Sequence, residues 1–410
     1  MIGRAESASR GRAAFLALLG MLLFAAPETS RAEEPGTDLG AKDDAGGLSS
    51  LWPGVQMGVH YRRWSVEQSG VTSTVDQLAV PIYALTPIRP NLDLSYLFTA
   101  ASSGVAVEQG AESSLDGITD GKLGLTYYLP DPHWSAGLGL RIPTGESALD
   151  PEEETVAQAL NDRIFGFPVR RYGEGTDLEL RAAYATSGRS GVRAAAGIAY
   201  LIKGSFPILS PADSNGVRDD ESRYEPGNEL ALTGRVRFRA IDGDWTAQAR
   251  LAMFGQDSRD GAPELDEGTE LGLSLLFNQE YLAGIGEVGA EFLLKGTTEI
   301  ASAAGVAPVR DVGGNILRVT GAFHGQLDAR SRIGGRTGLS WYGETDTGTG
   351  DGLVFELGPF YRRALAEHWS LDASYTFLIG NAEDSTIDLS GHDLSLAIAF
   401  SPSGWGVGIP

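Results

Sequence analysis

From Val55 to Phe400 the apolar residues of this chain recur at every second position, in short rows broken by polar segments. Successive side chains of an extended strand point to opposite faces, so each row reads as one face of a β-strand. The segment 229–254 shows the rule. Leu230, Leu232, Gly234, Val236 and Phe238 share one face; Thr233, Arg235, Arg237 and Arg239 share the other. After the polar turn Ile241-Asp242-Gly243-Asp244, the row Trp245, Ala247, Ala249, Leu251 and Met253 alternates with Thr246, Gln248 and Arg250. Comparable rows begin at Val55, Leu78, Leu92, Leu123, Trp134, Leu178, Val192, Leu271, Val288, Leu317, Ile333, Phe355, Trp369 and Leu394. Together they predict about sixteen strands, within a range of about 14 to 18.

The connections alternate in length. Short ones fall at Pro87–Asn91, Pro130–His133, Ser187–Gly191, Ile241–Asp244, Asn278–Tyr281, Asp328–Arg330 and Ala364–His368. Long, mostly polar ones fall at Ser103–Asp120, Thr144–Gly175, Gly204–Gly227, Gly255–Gly268, Lys295–Gly314, Glu344–Gly352 and Asn381–Ser390. A soluble sandwich has no reason to keep its long loops at one end. An even strand number with short turns on one side and long loops on the other is the signature of a bacterial outer-membrane barrel. The predicted fold is therefore all-β: a transmembrane antiparallel up-and-down β-barrel spanning residues 53–400.

The N-terminus agrees with export. Arg4, Arg10 and Arg12 precede an apolar run from Ala13 to Ala26, and Ser30-Arg31-Ala32 has small residues where a signal peptidase cuts. The run is shorter than the ~20 residues of a spanning helix. Residues 1–32 thus read as a signal peptide, 33–52 as a flexible periplasmic leader and 401–410 as a C-terminal tail. The chain has no cysteine, which excludes disulfides and thiolate metal sites. Without residues 1–32, which hold four Arg and two Glu, the 32 basic and 54 acidic residues become 28 and 52. So acidic a chain is a poor partner for nucleic acid, whose phosphates require a basic surface.

Charge also assigns the faces. A Lys or Arg facing lipid at mid-bilayer costs ~2–4 kcal/mol, and Arg181, Arg193, Arg235, Arg237, Arg239, Arg250, Arg318 and Arg336 all lie opposite apolar rows, so they face a polar lumen. Arg181, Arg193, Arg235, Arg237, Arg239 and Arg250, on four consecutive strands, predict a basic wall. Glu287, Glu291, Glu356 and Asp372, on later strands, predict an acidic one. Trp134, Trp245 and Trp369 each open the strand after a short turn, as a periplasmic aromatic girdle would. Pro81 and Pro359 fall within strands and are candidate strand breaks, because proline offers no ladder donor. The loop Thr144–Gly175 holds a helix candidate over Pro151–Asp162 and then the apolar Ile164, Phe165 and Phe167. Folded inward, it would be a constriction; projecting outward, a cap.

The strand end Leu140-Arg141-Ile142-Pro143-Thr144-Gly145-Glu146 resembles the outer-membrane barrels of the MetA-pathway phenol-degradation family, which are related to fatty-acid-transporter-like channels. Gly173-Glu174-Gly175-Thr176-Asp177-Leu178, Glu225-Pro226-Gly227-Asn228-Glu229-Leu230 and Leu357-Gly358-Pro359-Phe360-Tyr361-Arg362 extend the likeness across most of the chain. The resemblance implies an outer-membrane channel for passive uptake of small hydrophobic or aromatic molecules, with no catalytic residue. A closed anchoring barrel and, last, a membrane-embedded hydrolase are the alternatives. The hydrolase would draw on His133-Trp134-Ser135 or His368-Trp369-Ser370, but both triplets sit at short turns and hence at the periplasmic rim, whereas such a site belongs near the outer-leaflet rim. Asp213-Ser214-Asn215-Gly216 with Asp219, Asp220 and Glu221 has calcium-type oxygens without a calcium loop's spacing. The sequence thus predicts no enzyme, cofactor or metal. The expected partners are outer-membrane lipid and lipopolysaccharide, the barrel-assembly machinery and a small-molecule solute.

Overall fold

A computed structural model of the chain describes residues 54–108, 110, 112–131, 133–187, 191–209, 221–240, 243–281, 284–300, 309–312, 314–344, 351–383 and 385–401. The expected signal peptide, the leader, residues 402–410 of the tail and the acidic 213–220 segment lie outside the described residues. In chain order the elements are β1 (Gly54–Gln68), β2 (Val71–Arg89), β3 (Leu92–Val107), β4 (Glu112–Ile118), β5 (Gly121–Tyr128), β6 (Trp134–Ile142), α1 (Pro151–Asn161), β7 (Asp177–Ser187) and β8 (Arg193–Ile202). There follow β9 (Phe206–Leu209), β10 (Glu221–Glu225), β11 (Glu229–Ala240), β12 (Gly243–Phe254), β13 (Gln256–Arg259), β14 (Ala262–Asp266), β15 (Glu270–Tyr281) and β16 (Gly284–Lys295). The last are β17 (Thr297–Ile300), β18 (Val309–Val312), β19 (Ile316–Asp328), β20 (Ser331–Tyr342), β21 (Gly352–Ala364), β22 (Trp369–Ala382) and β23 (Ile387–Phe400).

Antiparallel neighbours follow one another around a closed ring of 16 strands, with β4 and β5 sharing one place. Closure runs from Val55 opposite Phe400 to Gln68 opposite Ile387. A closed ring leaves no edge, so every backbone group of the wall can be satisfied without water, as a bilayer demands. The apolar rows form its exterior: Leu138, Leu180, Ile198, Leu232, Leu273, Val319, Leu339, Phe355 and Leu396 are all exposed there. This is an outer-membrane barrel, with the short turns at the periplasmic end. Because the face alternates residue by residue, Leu273→Arg is expected to lower barrel stability by about 2–4 kcal/mol. Ser274→Arg, on the lumen side opposite Glu291, is expected to be near neutral. Folded fraction on unboiled denaturing gels after urea titration checks the pair, and equal loss in both would invert the assigned facing.

Three of the long polar connections fold as hairpins. β9/β10, β13/β14 and β17/β18 join edge to edge into a second, six-stranded sheet at the extracellular rim. Their sequences hide this because glycines interrupt the alternation where each strand leaves the wall. Gly227 faces Gly255 and Gly268 faces Gly296 so closely that a Cβ on Gly227 would overlap the Gly255 carbonyl. The first connection also differs from the long-loop pattern. β1 and β2 join through Ser69 and Gly70, both with positive φ, the backbone that a two-residue hairpin turn needs.

The two prolines leave the wall intact. The β1–β2 ladder lacks its rungs at Gly58/Pro81 and Val59/Val80, and the β21–β22 ladder lacks those at Pro359/Tyr375 and Gly358/Thr376, yet neither register shifts. A register step falls instead between β4 and β5. Ala100 pairs with Ile118 while Leu97 pairs with Lys122, so the register steps by one residue at Thr119-Asp120. Here β6 ends, and Pro143 carries the chain out of the wall.

The lumen and its inward loop

Once out of the wall, the segment 143–176 folds into the barrel. Asp120, 7% exposed at the break in the wall, anchors both ends of this loop by accepting from Gly145 N at 2.9 Å and Glu174 N at 2.7 Å. The loop's helix, α1, starts on a capping box. The Asp150 carboxylate accepts from Glu152 N and Glu153 N, and Glu153 accepts from Asp150 N, with Pro151 opening the first turn. Such a box satisfies otherwise orphaned amides. Val156 and Leu160, four residues apart and therefore on one helix face, are wholly buried.

Ile164, Phe165, Phe167, Val169 and Tyr172 continue this apolar surface. They pack among inward-facing residues of the wall: Trp64, Val75, Ala79, Ala101, Leu115, Val354, Leu378 and Leu389. An apolar core therefore lies inside the barrel, between the loop and strands β1–β4 and β20–β23. Polar side chains of the wall hold the loop's backbone. Gln77 donates to Val169 O at 2.7 Å and accepts from Val169 N at 2.9 Å. Trp64 Nε1 donates to Phe165 O at 2.8 Å. Arg62 donates to Phe165 O and Gly166 O while its Nε donates to Asp393 Oδ2 at 2.8 Å. Asp393 is 2% exposed and also meets His60 Nε2 at 3.1 Å. Tyr172 donates to Leu115 O and meets Ser103 Oγ, and burial pushes its phenol pKa above the ordinary value, which keeps it a donor. At the far side Arg163 reaches Glu270 at 3.1 Å, which Lys295 also pairs at 3.2 Å.

The opposite half of the lumen is lined by charged side chains. Arg181, Arg193, Arg235, Arg237, Arg239 and Arg250 stand on β7, β8, β11 and β12, facing inward. The side chains of Arg237 and Arg239 are 40% and 73% exposed. Carboxylates that the sequence pattern did not single out temper this wall. Glu229 pairs with Arg250 at 2.6 Å, and Asp244 pairs with both Arg237 and Arg239 at 3.3 Å. Asp244 belongs to strand β12, not to the turn. Arg181 turns away to donate to Thr126 Oγ1. The acids assigned to the other wall are interleaved with bases: Glu287 with His324, Glu291 with Arg318, and Asp372 with Arg362. In ring order Glu356 and Asp372 stand across from β7 and β8, whereas Glu287 and Glu291 lie two strands from β12.

Trp134, Trp245 and Trp369 stand at the short-turn end and contact Tyr184, Phe277 and Phe400 on neighbouring strands, at ring separations of 4.9, 4.6 and 5.0 Å. Neither triplet histidine meets its own serine. His133 Nδ1 donates to Ala185 O at 2.8 Å and His368 Nδ1 donates to Ser401 O at 3.1 Å. Both rings tie a periplasmic turn to the adjacent strand. Among the described residues no three His, Asp or Glu converge as a metal group.

No family model matches the chain, and no curated protein matches it. Solved structures similar to it include an outer-membrane channel and the translocator domain of an autotransporter. OccK7 of Pseudomonas aeruginosa is 11% identical with a TM-score of 0.41, over 85% of this chain and 98% of that one. OccK11 of the same organism is 10% identical with a TM-score of 0.42, over the same shares. The COG4313 channel of Pseudomonas putida F1 is 14% identical with a TM-score of 0.35, over 88% and 99%.

Proposed function

We propose that the protein is a diffusion channel that admits small organic molecules across the outer membrane, constricted by its own inward loop. The observation that carries this reading is the division of the lumen. The loop dries the side lined by β1–β4 and β20–β23, while charged side chains on β7–β19 stay in contact with water. A barrel of this strand number is wide enough for an aqueous channel once its lumen is not filled. The resemblance to the MetA-pathway family adds hydrophobic or aromatic molecules as the solute class. A closed, anchoring barrel draws on one contact, the Arg163–Glu270–Lys295 bridge, which ties the loop to the charged side. Planar-bilayer recording separates the two. The channel reading expects discrete, ohmic conductance steps from purified protein; a silent bilayer with correctly folded barrel would leave the closed reading standing.

A further inference from the structure

Strand register places four arginines together near the periplasmic mouth. Arg193 of β8 lies directly opposite Arg237 of β11, and Arg235 and Arg239 lie two residues to either side on the same face. Like charges directly opposite in a sheet repel. Among the described residues the one carboxylate set into the group, Asp244, is engaged by Arg237 and Arg239. Among the described residues no carboxylate lies within ion-pairing reach of Arg193 or Arg235. On the β12 side Arg235 stands opposite Gln248, but on the β8 and β7 side the wall is bare of bulk. Arg235 stands opposite Ala195, which stands opposite Ala185, and the next inward rung is Thr233, Gly197 and Ala183. Two guanidinium groups with no ion-pair partner among the described residues thus border a patch of small side chains on β7 and β8.

We infer that this group is a binding site for small organic carboxylates with a flat apolar body. Arg193 and Arg235 would receive the carboxylate, and Ala183, Ala185, Ala195 and Gly197 would take the body against the wall. Guanidinium groups match a carboxylate through paired N–H donors. The lumen also focuses the field of unpaired charges between low-dielectric walls. This deepens the channel reading by naming a solute class, and it rests on that reading for its biological use. Binding itself does not require conduction.

Calorimetric titration of the full-length folded barrel in detergent at low salt, with benzoate as the probe, tests the site. Benzoate is expected to bind, and Arg193→Gln/Arg235→Gln is expected to weaken it at least about tenfold, as charge-assisted bonds predict. Acetate, with the charge but no ring, and benzyl alcohol, with the ring but no charge, should both bind more weakly than benzoate. The gel shift on boiling confirms that the variant is folded. Unchanged benzoate affinity in the double variant overturns the site, as does benzyl alcohol or acetate binding as tightly as benzoate. A barrel that conducts without binding benzoate refutes the site alone. One that binds with these preferences but never conducts refutes the channel and leaves the site.

Discussion

Excising residues 147–171 and closing the gap from Glu146 to Tyr172 with two glycines is expected to raise single-channel conductance severalfold. The two ends of the loop already meet. Gly145 and Glu146 pack against Tyr172 and Gly173 backbone to backbone, too closely for a side chain on either glycine. Asp120 holds both ends from the wall. The excision therefore removes the filling without moving a wall strand, and the barrel should keep its shift between unboiled and boiled gel positions. It also uncovers Trp64, Val75, Leu115, Leu378 and Leu389 to the lumen, so apolar probes should bind the excised barrel better than the intact one. Sixteen strands with nothing inside leave an aqueous passage. If conductance stays at the wild-type level, the loop is not the narrow point, and the extracellular six-stranded sheet becomes the place to look.

The loop also shows what a sequence can reveal of such a barrel. The wall was legible because lipid imposes a period of two on every strand, and because an outward Arg is too costly to place by accident. The direction of the loop was not. Its apolar run 164–169 needs a dry partner, but the partners are scattered along eight strands, from Trp64 to Leu389, at inward positions that alternation marks only as "not lipid". Apolar residues at inward positions in the upper halves of β1–β4 and β20–β23 were the available signal. Charges mislead in the same way. Arg250 and Glu229 are partners because β11 and β12 pair, and Arg163 meets Glu270 because the loop crosses the lumen. A count of arginines on consecutive strands suggests a uniform basic wall. The register shows one Arg group with carboxylates at its edges.

Arg62 ties two loop carbonyls to a buried carboxylate of the wall, and its removal is expected to be among the most damaging single changes in the lumen. Its guanidinium serves the carbonyls of Phe165 and Gly166 and the carboxylate of Asp393 at once. The Asp393 side chain is 3% exposed and that of Arg62 18%, so water cannot replace the lost partner cheaply. Breaking a buried pair from one side costs about 3–5 kcal/mol, because it strands a charge. Arg62→Met should lower barrel stability by that order, read from the urea midpoint of the gel-shifted form. It should also raise open-channel current noise, since the loop at Phe165-Gly166 then keeps only the Trp64 bond nearby. Asp393→Leu should cost less, because Arg62 is the more exposed partner and keeps both loop carbonyls. The double variant Arg62→Met/Asp393→Leu should recover much of the stability lost in Arg62→Met but none of the quiet current. That split separates the two duties of Arg62. Strictly additive stability losses in the double variant would mean that Asp393 is not the charge being compensated, and restored quiet current would mean that the loop is held by the ion pair and not by the carbonyl bonds.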